Sequence, residues 1–477
     1  MERKKIISSL AFKFVERLAV KGAGLIIGIV LARLLLPEEF GQVAIITIFI
    51  NLANSIIQNG FNSALVQQKE VDDKDYSTVF YITMVLSAII VAILCVTAPY
   101  IAVFYESPKL VWPIRVYSFS LFFGAFNSIQ VAKLQREMRF QPMLYTSLIA
   151  TVLSGVLGVV MAYMGFGIWA LVAYGCSNIV FSCIAMLFVA NWFPRLVFSW
   201  KRAGSLFSFG WKMLVSGILC ALYHDVRSLI IGKRYSVDDL AYYNRGQQYP
   251  EVISLTIDAA IQSVMFPAMA RSQSDTKQVR SMLRRSISLN TFVVTPIMIG
   301  LAAVAHPLVL LLLTEKWLPS VIYMQLICIV GITFPFTSSS LVAIKALGRS
   351  DLHMKLEIIR RTMMLGILLF AIFVFDSVIA IAISYVVSVF IDMFIAAAPL
   401  KKMLDYDGLR QVKDNWKTLV ASLIMGIIVW LIGMLHLPTF LLLLVQIAVG
   451  VFAYVMLCVV FKNESMQYML SILKKKT

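Results

Sequence analysis

The sequence is poor in charged residues and contains no stretch that could form a soluble domain. Only 14% of the 477 residues are Asp, Glu, Lys or Arg, whereas 60% are hydrophobic, an apolar share above that of soluble globular proteins. The largest polar loops are short and run from Arg271 to Arg285 and from Lys401 to Lys417. The composition therefore excludes a soluble globular protein and indicates a chain that crosses a membrane many times.

Motifs for phosphate, metal and nucleophilic chemistry are missing as well. No Gly-rich loop ends in Gly-Lys-Ser or Gly-Lys-Thr, so we expect no intrinsic ATP hydrolysis. The four histidines and six cysteines are scattered without ligand spacing or a disulfide pattern. Asp405 and Asp407 resemble the carboxylate pair with which sugar transferases hold a divalent cation, but chance explains this lone match better. The sequence thus predicts no cofactor, no metal site and no catalytic group.

Hydropathy and helix breakers predict an all-α polytopic membrane protein with fourteen spans. We expect an N-terminal lobe of six spans over 1–200, a C-terminal lobe of six over 201–402, and two further spans with a basic tail over 403–477. The basic start Met1–Lys5 is not followed by a small-residue cleavage site, so we expect it to be retained. The spans are predicted at 12–36, 43–66, 77–101, 112–132, 143–163, 166–190, 207–231, 248–270, 288–313, 318–342, 356–375, 377–399, 416–435 and 438–461.

Basic residues are distributed unevenly between the two sides of the predicted membrane. Loops on the side of the N-terminus hold thirty Lys and Arg residues. By the positive-inside rule that side is cytoplasmic, and an even number of spans places both termini there. The net charge of +17 then reflects topology and contact with anionic membrane lipids, and no nucleic acid is expected. The loops on the other side hold five basic residues, namely Lys109, Lys233, Arg234, Arg245 and Lys316.

An internal repeat supports the division into two lobes. Residues 32–41 (Ala-Arg-Leu-Leu-Leu-Pro-Glu-Glu-Phe-Gly) align with residues 232–241 (Gly-Lys-Arg-Tyr-Ser-Val-Asp-Asp-Leu-Ala) at an offset of 200. Six predicted spans separate the two copies, so both run through the membrane in the same direction. The lobes are therefore expected to be related by a parallel pseudo-two-fold axis along the membrane normal, with the seventh span as the counterpart of the first.

The first span carries more charge than a helix can expose to lipid. Lys13, Arg17 and Lys21 follow one another at i, i+4 spacing on one helix face, with only Glu16 nearby as a counter-ion. Because each charge near the bilayer centre costs roughly 2.5–3.5 kcal/mol, we expect this face to line a wet cavity that binds an anion. Alternatively, the last nineteen residues of the span cross the bilayer alone and the cations lie on an amphipathic lead-in, an alternative least suited to the deeper Lys21.

The seventh span also carries ionisable side chains in its interior. His224, Asp225 and Arg227 lie within an otherwise apolar segment. Local neutralisation of Arg227 by Asp225 is an alternative, but residues at i and i+2 point in different directions on a helix. We therefore predict that Arg227 faces the same cavity as the cations of the first span.

Three carboxylates within spans are candidates for coupling to an ion. Asp225 lies beside Arg227, and Asp258 lies two turns beyond Glu251, whose position after Pro250 fits the start of a helix. Asp392 in the twelfth span either lines the cavity or reaches the cytoplasmic surface. A buried carboxylate that binds a proton or sodium in one state only would bias a two-state equilibrium.

Five segments in a consistent order resemble the Wzx-type oligosaccharide flippases of the polysaccharide transporter family, and most closely its WzxC-like and TuaB-like branch. This family belongs to the multidrug/oligosaccharidyl-lipid/polysaccharide flippase superfamily. Arg33, Glu38, Glu39, Asp238 and Asp239 match the family pattern at periplasmic helix ends, which implies a structural or gating role. The segments are 32–41, 230–233 with 241–245, 266–268, 315–319 and 346–351.

The resemblance implies movement of undecaprenyl-diphosphate-linked oligosaccharide across the bacterial inner membrane by alternating access, without enzymatic activity. The product would be lipopolysaccharide, exopolysaccharide or capsule, made together with a polymerase and export machinery. Lys13, Arg17, Lys21 and Arg227 fit the diphosphate of such a substrate. One alternative is a multidrug or cation antiporter of the same superfamily, which would need a cavity rich in carboxylates. A membrane polysaccharide polymerase or ligase is a further alternative, but its catalytic loop would have to fit within residues 232–247.

Overall fold

The computed structural model describes residues 19–58, 65, 71–137 and 139–467, with the backbone alone at 205–210, 212, 213 and 216. The secondary-structure elements in these ranges are α-helices and two short 3-10 helices, which confirms the predicted all-α class. The described part of the first helix, α1, covers 19–34. The following helices are α2 Pro37–Gln58, α3 Asp73–Phe104, α4 Val111–Ser118, α5 Ser120–Arg136, α6 Phe140–Tyr163, α7 Ile168–Ala190, α8 Trp200–Arg234, α9 Val237–Arg271, α10 Thr276–Ala303, α11 Ala305–Leu313, α12 Ser320–Ala346, α13 Ser350–Val374, α14 Val378–Ala397, α15 Leu400–Leu404, α16 Gly408–Ile432 and α17 Thr439–Val460.

Ten helices in the described ranges are long and apolar enough to cross a membrane, so the chain is a multi-pass membrane protein. The exact count of fourteen spans is not confirmed. Four predicted spans fall outside the ten. Helix α1 is described over only 16 residues, and the span at 112–132 is divided between α4 and α5. Helix α8 carries charged residues in several of its turns, and α13 carries them in its first half.

Prolines account for two places where the helices differ from the predicted spans. Helix α9 begins at Val237 and continues through Pro250, although the sequence predicted a span starting near Pro250 and a loop over 232–247. Helix α10 ends at Ala303, and α11 restarts at Ala305 after Val304 leaves helical geometry. The ring of Pro307 clashes with a helical carbonyl four residues earlier, at Ala303, which explains this break.

The chain divides into two compact units, Met1–Ala241 and Tyr242–Thr477. The predicted boundaries at 200 and 402 stay predictions. In the first unit, α6 and α7 form an antiparallel pair, and Leu31 and Leu35 at the end of α1 pack against it in a buried cluster with Ala162 and Leu171. A second cluster of this unit joins α3, α5 and the segment after α7 through Phe80, Ile129 and Trp192, among others.

The second unit is built around α10 and α12. Helix α10 packs along both α12 and α16, and α12 also packs along α14. Met269, Leu283, Phe336, Ile344 and Leu400 belong to one buried cluster whose members come from six helices, α9, α10, α12, α13, α14 and α15. A separate cluster packs α16 and α17 against α10 and α11. Polar side chains on α10 and α12 therefore lie inside this unit, away from lipid.

In both copies of the sequence repeat, the second helix begins with the same kind of contact. The backbone N–H of Leu36 donates to the Glu39 carboxylate over 2.8 Å at the start of α2. At the start of α9, the backbone N–H of Ser236 donates to the Asp239 carboxylate over 3.3 Å. An acidic residue in the first helical turn satisfies an otherwise unpaired N–H and favours the positive end of the helix dipole. Glu39 and Asp239 therefore stabilise the starts of α2 and α9.

Gly41 lies where α2 and α9 begin next to one another. A Cβ atom at this position would lie 1.9 Å from the backbone oxygen of Val237. Glu38, one turn before Gly41, lies near Asp238 and 3.7 Å from Lys109, so a basic side chain offsets the repulsion between two carboxylates. The close approach of the two helix starts depends on the missing side chain of Gly41.

We expect Gly41→Ala to destabilise the protein by about 1–3 kcal/mol, since the added methyl group collides with backbone that cannot rotate away. Gly22→Ala in α1 is the matched control, because a Cβ there meets no atom within 4 Å and alanine favours the helix by about 0.5–1 kcal/mol. Thermal unfolding of the purified variants measures both effects. Equal stability of the two variants would contradict the close contact at Gly41.

Candidate functional site

The predicted cationic face of the first helix is only partly within the described residues. Lys13 and Arg17 lie outside them. Lys21 lies on α1 and is exposed. The same helix packs further on against α6, where a Cβ on Gly155 would overlap the side chain of Ile27. Helix α1 therefore packs one face against protein, whereas Lys21 lies outside these protein contacts.

Helix α8 places its interior charges in different surroundings. Arg227 is 5% exposed, so the protein encloses the guanidinium of this residue of α8. Asp225 is bound locally by His224, with Nδ1 and Oδ1 2.7 Å apart. Cys220, two turns before Arg227, is exposed. Lys21 and Arg227 both belong to the unit Met1–Ala241, whereas the sequence predicted that they belong to different lobes.

Asp258 forms the centre of a buried polar network in the second unit. The residue is 7% exposed and lies on α9, facing α10 and α12. Its Oδ1 accepts hydrogen bonds from Asn290 Nδ2 over 2.6 Å and from Gln262 Nε2 over 3.2 Å, and its Oδ2 accepts from Ser338 Oγ over 2.7 Å. All three of these partners are uncharged side chains. Among the described residues, no basic side chain forms an ion pair with the Asp258 carboxylate.

The network extends beyond the carboxylate to other oxygen atoms. Gln262 also donates to Ser339 Oγ over 2.9 Å, and Ser339 lies 3.2 Å from Ser286 Oγ. The Oε1 atom of Gln262 and the Oδ1 atom of Asn290 are buried without a hydrogen-bond partner. An amide carbonyl buried without a partner loses its hydration and gains nothing in exchange, which is costly inside a protein. The Asp258 network therefore lacks donors for two of its acceptor atoms.

Asp392 has a cation as partner. Its carboxylate, only 4% exposed, forms a bidentate pair with Arg360 of α13, in which Nη2 and Oδ2 lie 2.8 Å apart. Arg360 also pairs with Glu357 over 2.8 Å. Since Asp392 is buried and Arg360 is largely shielded, removing Arg360 would leave the carboxylate charged in a medium of low dielectric constant. Asp392 is thus neutralised within its own unit, in contrast to Asp258.

The Asp405 and Asp407 carboxylates both have protein partners near the start of α16. Asp407 caps α16 by accepting from the backbone N–H of Arg410 over 2.9 Å. Asp405 pairs with Arg410 over 2.6 Å and with Arg280 over 3.2 Å, and these guanidinium groups hold the pKa of its carboxyl below the usual range. No group of three metal-binding side chains occurs in the part of the chain that the structure describes.

Sequence reasoning found Asp258 and Asp392 but missed their partners. Arg360 is one of the thirty basic residues that the sequence predicts on the cytoplasmic side. It lies 32 positions before Asp392, and it pairs with that residue between α13 and α14. Asn290 and Ser338 are neutral residues inside apolar spans, and only the run Ser338-Ser339-Ser340 marks that segment as polar. Interior amides and hydroxyls in an apolar helix are the signal that could have located this network.

The described residues thus define a multi-pass α-helical membrane protein with enclosed ionisable side chains, an arrangement typical of carriers of polar solutes. The chain belongs to the polysaccharide biosynthesis protein family, which matches residues 30–322. This membership confirms the resemblance to polysaccharide flippases found in the sequence.

Three relatives carry related names. The succinoglycan biosynthesis transport protein ExoT of Rhizobium meliloti is 27% identical over 60% of this chain and 58% of its own length. The teichuronic acid biosynthesis protein TuaB of Bacillus subtilis is 26% identical over 63% of this chain and 62% of its own. The lipopolysaccharide biosynthesis protein WzxC of Escherichia coli is 23% identical over 75% and 73%. The matches thus span about three fifths of ExoT and TuaB.

Solved structures share the fold. The lipid II flippase MurJ in an inward closed conformation matches 96% of this chain and 100% of its own, with a TM-score of 0.74 at 14% identity. An inward-facing multidrug resistance MATE transporter of the MOP superfamily matches 82% of this chain and 98% of its own, with a TM-score of 0.59 at 17% identity. The architecture of this superfamily is therefore that of the present chain.

We expect Arg360→Met to destabilise the protein by about 3–5 kcal/mol, because it leaves the Asp392 carboxylate buried without a cation. The double variant Arg360→Met with Asp392→Leu should regain most of this loss, since no buried charge remains. Thermal unfolding of the two single variants and the double variant measures the coupling. Additive losses in the double variant would show that the pair contributes no buried electrostatic constraint.

Proposed function

We propose that the protein is a flippase that moves an undecaprenyl-diphosphate-linked oligosaccharide from the cytoplasmic to the periplasmic leaflet of the bacterial inner membrane. Membership of the polysaccharide biosynthesis family carries this proposal, and the printed name of ExoT, a transport protein of succinoglycan biosynthesis, supports it. The fold shared with MurJ fits a carrier of a lipid-linked precursor. The protein acts as a carrier and not as an enzyme, in a pathway that also needs a polymerase and export machinery.

The diphosphate of the substrate is the group that the basic side chains recognise. Arg227, enclosed within α8, offers a planar guanidinium that suits two phosphate oxygens at once. Lys21 on α1 is exposed and supplies a second positive charge. Lys13 and Arg17 extend this charge at i, i+4 spacing along the sequence.

A multidrug or cation antiporter is the competing function, since the fold is shared with a MATE transporter. Such a protein needs accessible carboxylates to attract cations. Asp392 is neutralised by Arg360, and Asp225 is bound by His224. The family match and the enclosed Arg227 favour an anionic substrate.

We expect deletion of the gene to abolish surface polysaccharide while lipid-linked oligosaccharide accumulates in the cytoplasmic leaflet.

Arg227→Ala should reduce export at least about tenfold, the effect of losing about 1.4 kcal/mol of substrate binding. Arg227→Lys, which keeps the charge but not the fork of donors, should retain more export. Immunoblots of membranes verify equal protein levels. Normal export by Lys21→Ala with Arg227→Ala would refute the role of these cations, and altered drug resistance with normal glycan export would favour the antiporter.

We also propose that the thirty basic residues of the sequence census lie on the cytoplasmic side. Alkaline phosphatase fused after residue 402 or residue 477 should then be inactive, whereas a fusion after Lys109 should be active. The fusion after Lys109 is the control for expression, since it samples the opposite side of the same membrane. Phosphatase activity of the fusion after residue 402 would reverse the orientation.

A further inference from the structure

Asp258 is a carboxylate inside a membrane-spanning unit whose described contacts are all neutral. Asp392, a second enclosed carboxylate among the described residues of this unit, pairs with the guanidinium of Arg360. Asp258 instead accepts from two amides and one hydroxyl. An ionised side chain inside a membrane span is costly, and such residues usually bind an ion, a substrate or a partner side chain. The contrast between the two carboxylates identifies Asp258 as the one with capacity for a mobile cation.

The atoms around Asp258 supply oxygen ligands in excess of the available donors. The amide oxygens of Gln262 and Asn290 are buried and unpartnered, although the amide nitrogens of both residues contact Asp258. Asn290 is 0% exposed. Rotation of either amide about its last side-chain bond exchanges its nitrogen and oxygen. After this rotation, the amides of Gln262 and Asn290 direct their carbonyl oxygens toward a cation bound next to the Asp258 carboxylate.

Hydroxyl groups complete the set of oxygens. Ser338 Oγ lies 2.7 Å from Asp258 Oδ2. Its lone pairs can coordinate a cation, as its O–H can donate a hydrogen bond. Thr291, next to Asn290 on α10, has a hydroxyl that is buried without a partner. One carboxylate, two amide oxygens and one hydroxyl thus come from three helices, α9, α10 and α12, that pack together.

We propose that Asp258, Gln262, Asn290 and Ser338 form a binding site for one dehydrated alkali cation of the size of sodium. A single carboxylate does not balance a divalent ion, and calcium and magnesium sites in proteins usually contain several charged oxygens or retained waters. The site offers no imidazole or thiolate, which transition metals prefer. A proton on Asp258 provides one donor and so satisfies at most one of the two amide oxygens, whereas a cation coordinates both.

Binding of such a cation would couple to the conformation of the second unit. Its ligands belong to three helices, so a movement of α9 relative to α10 or α12 separates them and lowers affinity. A ligand shifts a conformational equilibrium only by its difference in affinity for the two states. A role in driving glycan export rests on the proposed function, but the binding of the cation itself does not.

The test measures thermal unfolding of the purified full-length protein in NaCl, KCl and choline chloride at equal ionic strength, together with binding of radioactive sodium. We expect the unfolding temperature to rise with NaCl along a saturable single-site curve and not with choline. Asp258→Asn, which keeps the shape of the side chain, should abolish sodium binding. Asn290→Ala and Gln262→Ala should weaken it at least about tenfold.

Ser254→Ala is the matched control, because Ser254 lies one turn before Asp258 on α9 but is not a ligand of the proposed site. Its hydroxyl donates instead to the backbone oxygen of Pro250 over 2.8 Å. This variant should bind sodium like the wild type. Sodium binding that survives Asp258→Asn, or equal stabilisation by all three salts, would overturn the site. Stability that follows pH without any sodium effect would overturn it in favour of a proton. Sodium binding with failed complementation of glycan export would instead refute the proposed function alone.

Discussion

The cost of enclosing charge in a low-dielectric environment is the constraint on which the interior of this protein depends. An ion removed from water must find an opposite charge or a set of oriented dipoles, or the fold loses several kcal/mol. Arg360 and Asp392 use the first solution across α13 and α14. Asp258 uses the second, with donors from Asn290, Gln262 and Ser338. The packing of α10 against α12, which brings these groups together, is therefore fixed by electrostatics as well as by apolar burial.

The two solutions have different consequences for function. A carboxylate held by a guanidinium is saturated and serves mainly to fix two helices in place. A carboxylate held by neutral dipoles keeps its net charge, so it remains able to attract a mobile cation. Arg227 on α8 presents the opposite sign within the other unit. The chain belongs to the polysaccharide biosynthesis protein family, and enclosed charges of both signs fit the anionic substrate and the cation that we propose for it.

The sequence predicted the class of fold and the location of most helices because hydropathy measures directly what lipid requires. It misjudged the start of α9 because Pro250 reads as a helix start, whereas proline is tolerated inside membrane helices when the freed carbonyl is satisfied nearby. It did not identify the partner of Asp392, since no local pattern joins residues 32 positions apart. Asn290 and Ser338 carry no charge, so the distribution of charged residues does not mark them. Their contact with Asp258 forms only when α9, α10 and α12 pack together in the folded protein.

The exposed thiol of Cys220 gives the chain a natural reporter of hydration. Of the six cysteines, Cys183, Cys328 and Cys458 are buried and Cys220 is exposed. Seven residues, or nearly two complete helical turns, separate Cys220 from Arg227, so both side chains lie on about the same side of α8. A thiol reacts with maleimides only as the thiolate, which forms in water and not in hydrocarbon. The rate at which Cys220 reacts in intact membranes therefore reports whether this side of α8 is bathed by water or by acyl chains.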